Sequence, residues 1–155
     1  MTVKPVPAGY RTITPYLAVD DAARAIAFYA EAFGARERMR LDAPGGRIGH
    51  AEIEIGDSVI MLADPWPEAH FAAPRGEDVS VTIHLYVDDA DTAFARAIAA
   101  GAAAMRPLET MFYGDRTATV RDPFGHHWHL ATHVEDVAPE EIKRRMQAMF
   151  RDKKG

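Results

Sequence analysis

The chain repeats itself, and internal repetition limits the available folds more than any other property of this sequence. Residues 14–27 read TPYLAVDDAARAIA and residues 82–95 read TIHLYVDDADTAFA. At a constant offset of 68 positions, eight of these 14 are identical: Thr14/Thr82, Leu17/Leu85, Val19/Val87, Asp20/Asp88, Asp21/Asp89, Ala22/Ala90, Ala25/Ala93 and Ala27/Ala95. Two copies of one supersecondary unit within 155 residues fill a single domain.

Each unit reads as β-α-β-β-β. β-Branched and aromatic residues on alternate sites predict strands over Tyr16–Val19 and Val81–Val87. The paired aspartates stop each strand, and one of each pair is placed to cap the next helix. The first helix carries Ala22, Ala25, Ile26, Tyr29 and Phe33 on one face; the second carries Ala90, Ala93, Phe94, Ala97 and Ile98. Gly34 and Gly101 follow as C-caps. Short strands are expected near Glu37–Leu41 and Ala103–Pro107. Hairpins follow: His50–Ile55 and Ser58–Ala63 around Gly56-Asp57, then Arg116–Arg121 and His127–Thr132 around Asp122-Pro-Phe-Gly125. The expected architecture is therefore α+β: two βαβββ modules forming curved mixed sheets around a concave cavity. Module 1 spans 10–64, a Pro- and Gly-containing linker or flap 65–79, module 2 80–133, and a C-terminal arm 134–155. Ile142, Met146, Met149 and Phe150 give the arm a helix with one apolar face, and Pro139 suits its first turn.

Composition removes several classes of function. The formal charge is −5, so no general basic field is available for nucleic acid or anionic lipid. No apolar run is long enough for a membrane span. There is no cysteine, which removes disulfides, thiolate metal sites and thiol nucleophiles. The first ten residues lack the apolar core of a secretory signal, so a cytoplasmic protein is expected. No P-loop, GxSxG, HExxH or dinucleotide glycine pattern occurs.

Two βαβββ copies at this spacing resemble the vicinal oxygen chelate superfamily, which includes glyoxalase I, extradiol dioxygenases and bleomycin-resistance proteins. The segments Ala51–Asp64, Arg121-Asp-Pro-Phe-Gly125 and Leu130-Ala-Thr-His-Val-Glu-Asp136 resemble its PhnB-like branch. The resemblance implies a homodimer and a small-molecule ligand. In metal-dependent members four ligands come from the first and last strands of each copy, and the matching positions here are Thr14, Met61, Thr82 and His129. Only His129 is a good divalent-metal ligand, so a metal-free binder is expected, with no cofactor and no catalytic residue assigned.

Strand parity builds the cavity face. If position 82 faces inward, so do His84 and Tyr86. If His129 does, so does His127. The Gly56-Asp57 turn pairs Met61 with Glu52 and places His50 and Glu54 on that same face. The candidate ligand-binding set is thus Tyr16, His50, Glu52, Met61, His84, Tyr86, His127 and His129, with Tyr113 of the loop Met111–Gly114 at the mouth. An antiparallel sheet open to water is polar on that side without any ligand. Convergence from separate strands beside aromatic walls is what points to a site. Two alternatives stay open: a displaced metal site on Glu52, His84 and His129, giving one divalent ion and a lyase, isomerase or dioxygenase, or Glu52 as a general base beside histidines. His126, His70 and the His133–Asp136 group read as structural or solvated.

Overall fold

Helices form where the paired aspartates release the strands. In the computed structural model, which describes residues 2–153, Asp21 accepts a hydrogen bond from the Arg24 amide and Asp89 one from the Asp91 amide. Met1 and the last two residues of the expected arm lie outside the described residues. Strand β1 (Tyr16–Ala18) leads to helix α1 (Ala22–Phe33), then β2 (Arg36–Ala43), β3 (Arg47–Ile55) and β4 (Ser58–Ala63). The second copy is β5 (Thr82–Tyr86), α2 (Ala90–Ala100), β6 (Ala103–Thr110), β7 (Asp115–Arg121) and β8 (His127–His133), and α3 (Pro139–Asp152) closes the chain. Each copy makes a four-stranded sheet, in the orders β1-β4-β3-β2 and β5-β8-β7-β6. The edge strand β1 or β5 runs parallel to its neighbour, and the other pairs are antiparallel. The expected α+β pair of βαβββ modules with a C-terminal helix is what forms.

Parity holds where it was set by the apolar pattern. Ala51, Ile53, Ile55, Ile60 and Leu62 enter the core with α1, while Trp128 and Leu130 do so from β8. The second module is less fully covered. Val81 lies outside β5 and is exposed, Ile83 and Leu85 are only partly buried, and Ile98 is exposed rather than part of the buried α2 stripe. Ala90 and Ala97 define that stripe, and Ile98 sits one residue, about 100°, round the helix from Ala97.

The modules are joined by buried polar and aromatic contacts. The Tyr29 ring lies 5.2 Å from Trp128, and the Phe33 ring 4.5 Å from it. Asp122 is buried at the centre: its Oδ2 accepts from the Tyr29 hydroxyl at 2.5 Å and from Trp128 Nε1 at 2.9 Å, while Oδ1 accepts from the amides of Phe124 and His126. His126 Nε2 donates to the Ala18 carbonyl at 2.8 Å. The turn Asp122–Gly125 therefore does more than reverse the chain, because it fastens module 2 to helix α1.

Candidate functional site

Eight of the nine candidate residues fall into two groups, one on each sheet, and Tyr113 lies in the loop between β6 and β7. On the first, Tyr16 of β1 is opposite Met61 of β4, and Met61 is opposite Glu52 of β3, which shares its face with His50. The Tyr16 hydroxyl lies 2.7 Å from His50 Nδ1, and His50 Nε2 lies 2.9 Å from Glu52 Oε2. Tyr10 donates its hydroxyl to Glu52 Oε1, and the Arg38 guanidinium sits 4.9 Å over the Tyr10 ring. Burial works against an ionised Glu52. The hydrogen bonds from His50 and Tyr10, with the charges of His50 and Arg38, outweigh it and hold the carboxyl below its ordinary 4.5. Burial, and then the nearby Glu52 charge, raise the Tyr16 hydroxyl above 10.0, so it stays protonated.

On the second sheet His84 of β5 is opposite His129 of β8, with their Nδ1 atoms 3.4 Å apart. Burial, then the charges of His84, Arg106 and His127, lower His129 below 6.5 and favour neutral imidazole. Tyr113 joins His84 and His129 around a small cleft of about 50 Å³ that also includes Arg106 and Thr119. His127 sits farther along β8, and its Nε2 is buried without a hydrogen-bond partner. Tyr86 donates to Asp115 at 3.2 Å. Asp115 also accepts from His133 Nδ1 at 2.8 Å, and His133 Nε2 donates to Asp136 at 2.6 Å. His133 and Asp136 thus tie the start of the arm to β7.

Within one chain the displaced set Glu52, His84 and His129 does not come together. Glu52 belongs to the first sheet, where His50 and Tyr10 engage both its oxygens, whereas His84 and His129 belong to the second. Among the described residues no group of three or more His, Asp and Glu side chains is disposed to hold a metal ion. At Thr14, Met61, Thr82 and His129 the donor set is one imidazole, two hydroxyls and a thioether. This does not fit a hard or borderline divalent ion.

A further cleft lies between β1, the start of β3 and the linker. The segment Ala43–Gly49 forms one side of it and the start of the linker the other; Tyr16 and Ala63 contribute further lining to its volume of about 880 Å³. The linker is a short hairpin. Trp66 and Phe71 exchange backbone hydrogen bonds of 2.7 and 3.2 Å across a 3₁₀ turn, Pro67–Ala69. Phe71 packs edge-on against Tyr16, with ring centroids 5.1 Å apart, while Trp66 is 64% exposed and leaves its ring free to touch a ligand. Arg47 spans the cleft edge and donates to the Pro65 carbonyl. Asp64 anchors the base. Its Oδ1 accepts from the amides of Asp21 and Ala22 and its Oδ2 from the Ile48 amide at 2.7 Å. Two aromatic residues flanking a proline turn were the available signal for Trp66 and Phe71. Tyr10 had none, because nothing local ties it to a carboxylate 42 residues away.

Comparison with known proteins agrees with the fold. The model of the Glyoxalase/Bleomycin resistance protein/Dioxygenase superfamily matches residues 11–130. An uncharacterized protein of Mycobacterium bovis is 42% identical over 140 residues, covering 88% of this chain and 92% of its own. Among solved structures, TioX from Micromonospora superposes with a TM-score of 0.65 at 31% identity, covering 80% of this chain and 99% of that one. The PhnB protein of Bacillus cereus gives a TM-score of 0.62 at 18% identity, over 79% and 99% of the two chains, which shows a shared fold alone.

Proposed function

The chain belongs to the Glyoxalase/Bleomycin resistance protein/Dioxygenase superfamily, and from that premise we propose that it is a metal-independent protein that binds a small organic molecule in the cytoplasm as a homodimer. The observation that carries this is the 880 Å³ cleft, whose walls are apolar and aromatic and whose Tyr16 wall ends in the hydrogen-bonded array of His50, Glu52 and Tyr10. Volume, apolar lining and a few placed polar groups are the marks of a small-molecule site. His84, His129 and Tyr113 form a second, smaller polar surface on the other sheet. A second copy laid on the open sheet faces would enclose both.

Thermal-shift screening of small aromatic and alicyclic molecules tests the reading. A ligand at a hundredfold excess over its Kd adds about 2.7 kcal/mol of stability, which is a shift of several degrees for a chain of this size. Trp66 is exposed, so Trp66→Ala leaves the fold intact, and it is expected to remove most of the shift. A ligand shift that is the same in Trp66→Ala would contradict the cleft assignment, and no shift from any compound would contradict small-molecule binding.

A further inference from the structure

The Tyr16 side chain is where the cleft and the polar array meet. Glu52 as a carboxylate only accepts hydrogen bonds, and it accepts from Tyr10 and from His50 Nε2. His50 Nε2 therefore carries a hydrogen, and in the neutral ring Nδ1 is the bare nitrogen. That nitrogen faces the Tyr16 hydroxyl at 2.7 Å. Each proton then has one place, with Tyr16 donating to His50 and His50 donating to Glu52. A hydroxyl, a base that can take its proton, and a third group that orients the base are the parts of an activated hydroxyl.

Resting on the small-molecule reading above, we propose that Tyr16, His50 and Glu52 form a proton relay, through which the cleft takes up a flat, apolar molecule bearing a phenolic or enolic hydroxyl and holds it as the anion. The ligand O–H bond breaks and its proton passes to the Tyr16 oxygen. The proton that Tyr16 already carried passes to His50 Nδ1. The products are a ligand oxyanion accepting a hydrogen bond from Tyr16 and a His50 imidazolium paired with Glu52. Total charge is unchanged, and no atom leaves.

The surroundings favour this end state. The groups facing His50 and Glu52 are Tyr16 from β1, Tyr10 from the N-terminal segment and Arg38 from β2. Glu52 is kept ionised and so compensates the imidazolium. Tyr16 is kept protonated and so passes a proton along without resting as a phenolate. Arg47 at the cleft edge supplies positive charge toward a bound anion, set against the Asp64 and Glu68 carboxylates in the same lining; the Asp64 oxygens are already taken up by the amides of Asp21, Ala22 and Ile48. The walls specify the rest of the ligand: Tyr16, Trp66 and Phe71 suit a flat ring. A carboxylic acid would arrive already ionised at neutral pH and bring no proton for the relay.

The test uses 4-nitrophenol, which is yellow only as its phenolate, and its methyl ether 4-nitroanisole, which has the same ring and no acidic proton. Binding is read from quenching of Trp66 fluorescence, with Trp66→Phe supplying the background from the buried Trp128. At a pH where the free phenol is almost wholly protonated, the wild type is expected to turn the bound phenol yellow and to prefer it over the ether by about tenfold. His50→Phe should keep the quenching by the ether but lose both the colour and the preference. Glu52→Gln, which preserves shape, should lower the yellow fraction. A phenol that quenches Trp66 without turning yellow overturns the relay and leaves the binding site standing, as does a yellow complex that survives His50→Phe. Absence of quenching by either compound removes the cleft as a site for such molecules, and the relay with it.

Discussion

A single buried carboxylate, Asp122, shows how much of this fold hangs on side chains that local patterns do not flag. Its four donors come from both modules and from its own turn. From the sequence, Asp122-Pro-Phe-Gly125 is a turn, and nothing local says that Tyr29, 93 residues away, closes on it. Burial and the Asp122 charge push the Tyr29 hydroxyl well above 10.0, so it remains a donor at any ordinary pH. Tyr29→Phe leaves a buried carboxylate one donor short and should cost about 1–3 kcal/mol in denaturant melts. Asp122→Ala should cost more, because it strands several donors at once. A Tyr29→Phe variant as stable as the wild type would contradict the account. His133 makes the pH prediction. Hydrogen bonds to Asp115, and then to Asp136, raise it above 6.5 in the folded chain. The stabilisation it gives is therefore complete below pH 6.5 and is lost as pH rises through the raised value. Melting temperatures of wild type and His133→Gln should converge as pH increases across that window, and a gap that widens instead would show the sign to be wrong.

Among the elements, the sequence was most legible where periodicity and burial coincide. In β3 and β4 the apolar pattern is clear: Ile53 and Leu62 are fully buried, and Glu52 and Met61 share the other face, where Glu52 is also buried. In β5 the same reading is looser, because the second sheet is less covered and Leu85 is only partly buried. Ile53→Ala should accordingly cost about 2–5 kcal/mol and Leu85→Ala less. His84→Ala and His129→Ala should each cost under about 1 kcal/mol, since exposed or partly solvated groups leave little unsatisfied. Chemical denaturation of these four variants checks the parity, and histidine changes that unfold the protein would invert it. The linker hairpin was not legible as a cleft wall. Its geometry depends on two residues of β3, Arg47 and Ile48, holding Pro65 and Asp64 from a distance, and sequence proximity carries no trace of that.

At the scale of the whole molecule, the surface is larger than that of a compact monomer. A compact monomer of 17.1 kDa is expected to expose about 7,800 Å², and this chain exposes 10104 Å². Part of the difference is the irregular, largely exposed segment 2–15, but Met39, Leu41, Tyr86 and Met105 on the sheets and Met146, Met149 and Phe150 on α3 are also exposed. Apolar surface of this extent is the mark of an interaction face, and each partner in a standard interface covers roughly 800 Å². Light scattering at micromolar concentration should give twice the chain mass, and a clean monomer would contradict the dimer. The central claim, that the cleft between the Ala43–Gly49 segment and the Trp66–Phe71 hairpin receives the ligand, is tested most directly by mapping amide chemical-shift changes as the strongest hit of the thermal screen is titrated in. The account predicts saturable shifts concentrated at Tyr16, Ile48, Ala63, Trp66 and Phe71. Shifts concentrated at His84, Tyr113 and His129, with the linker hairpin unmoved, would contradict it.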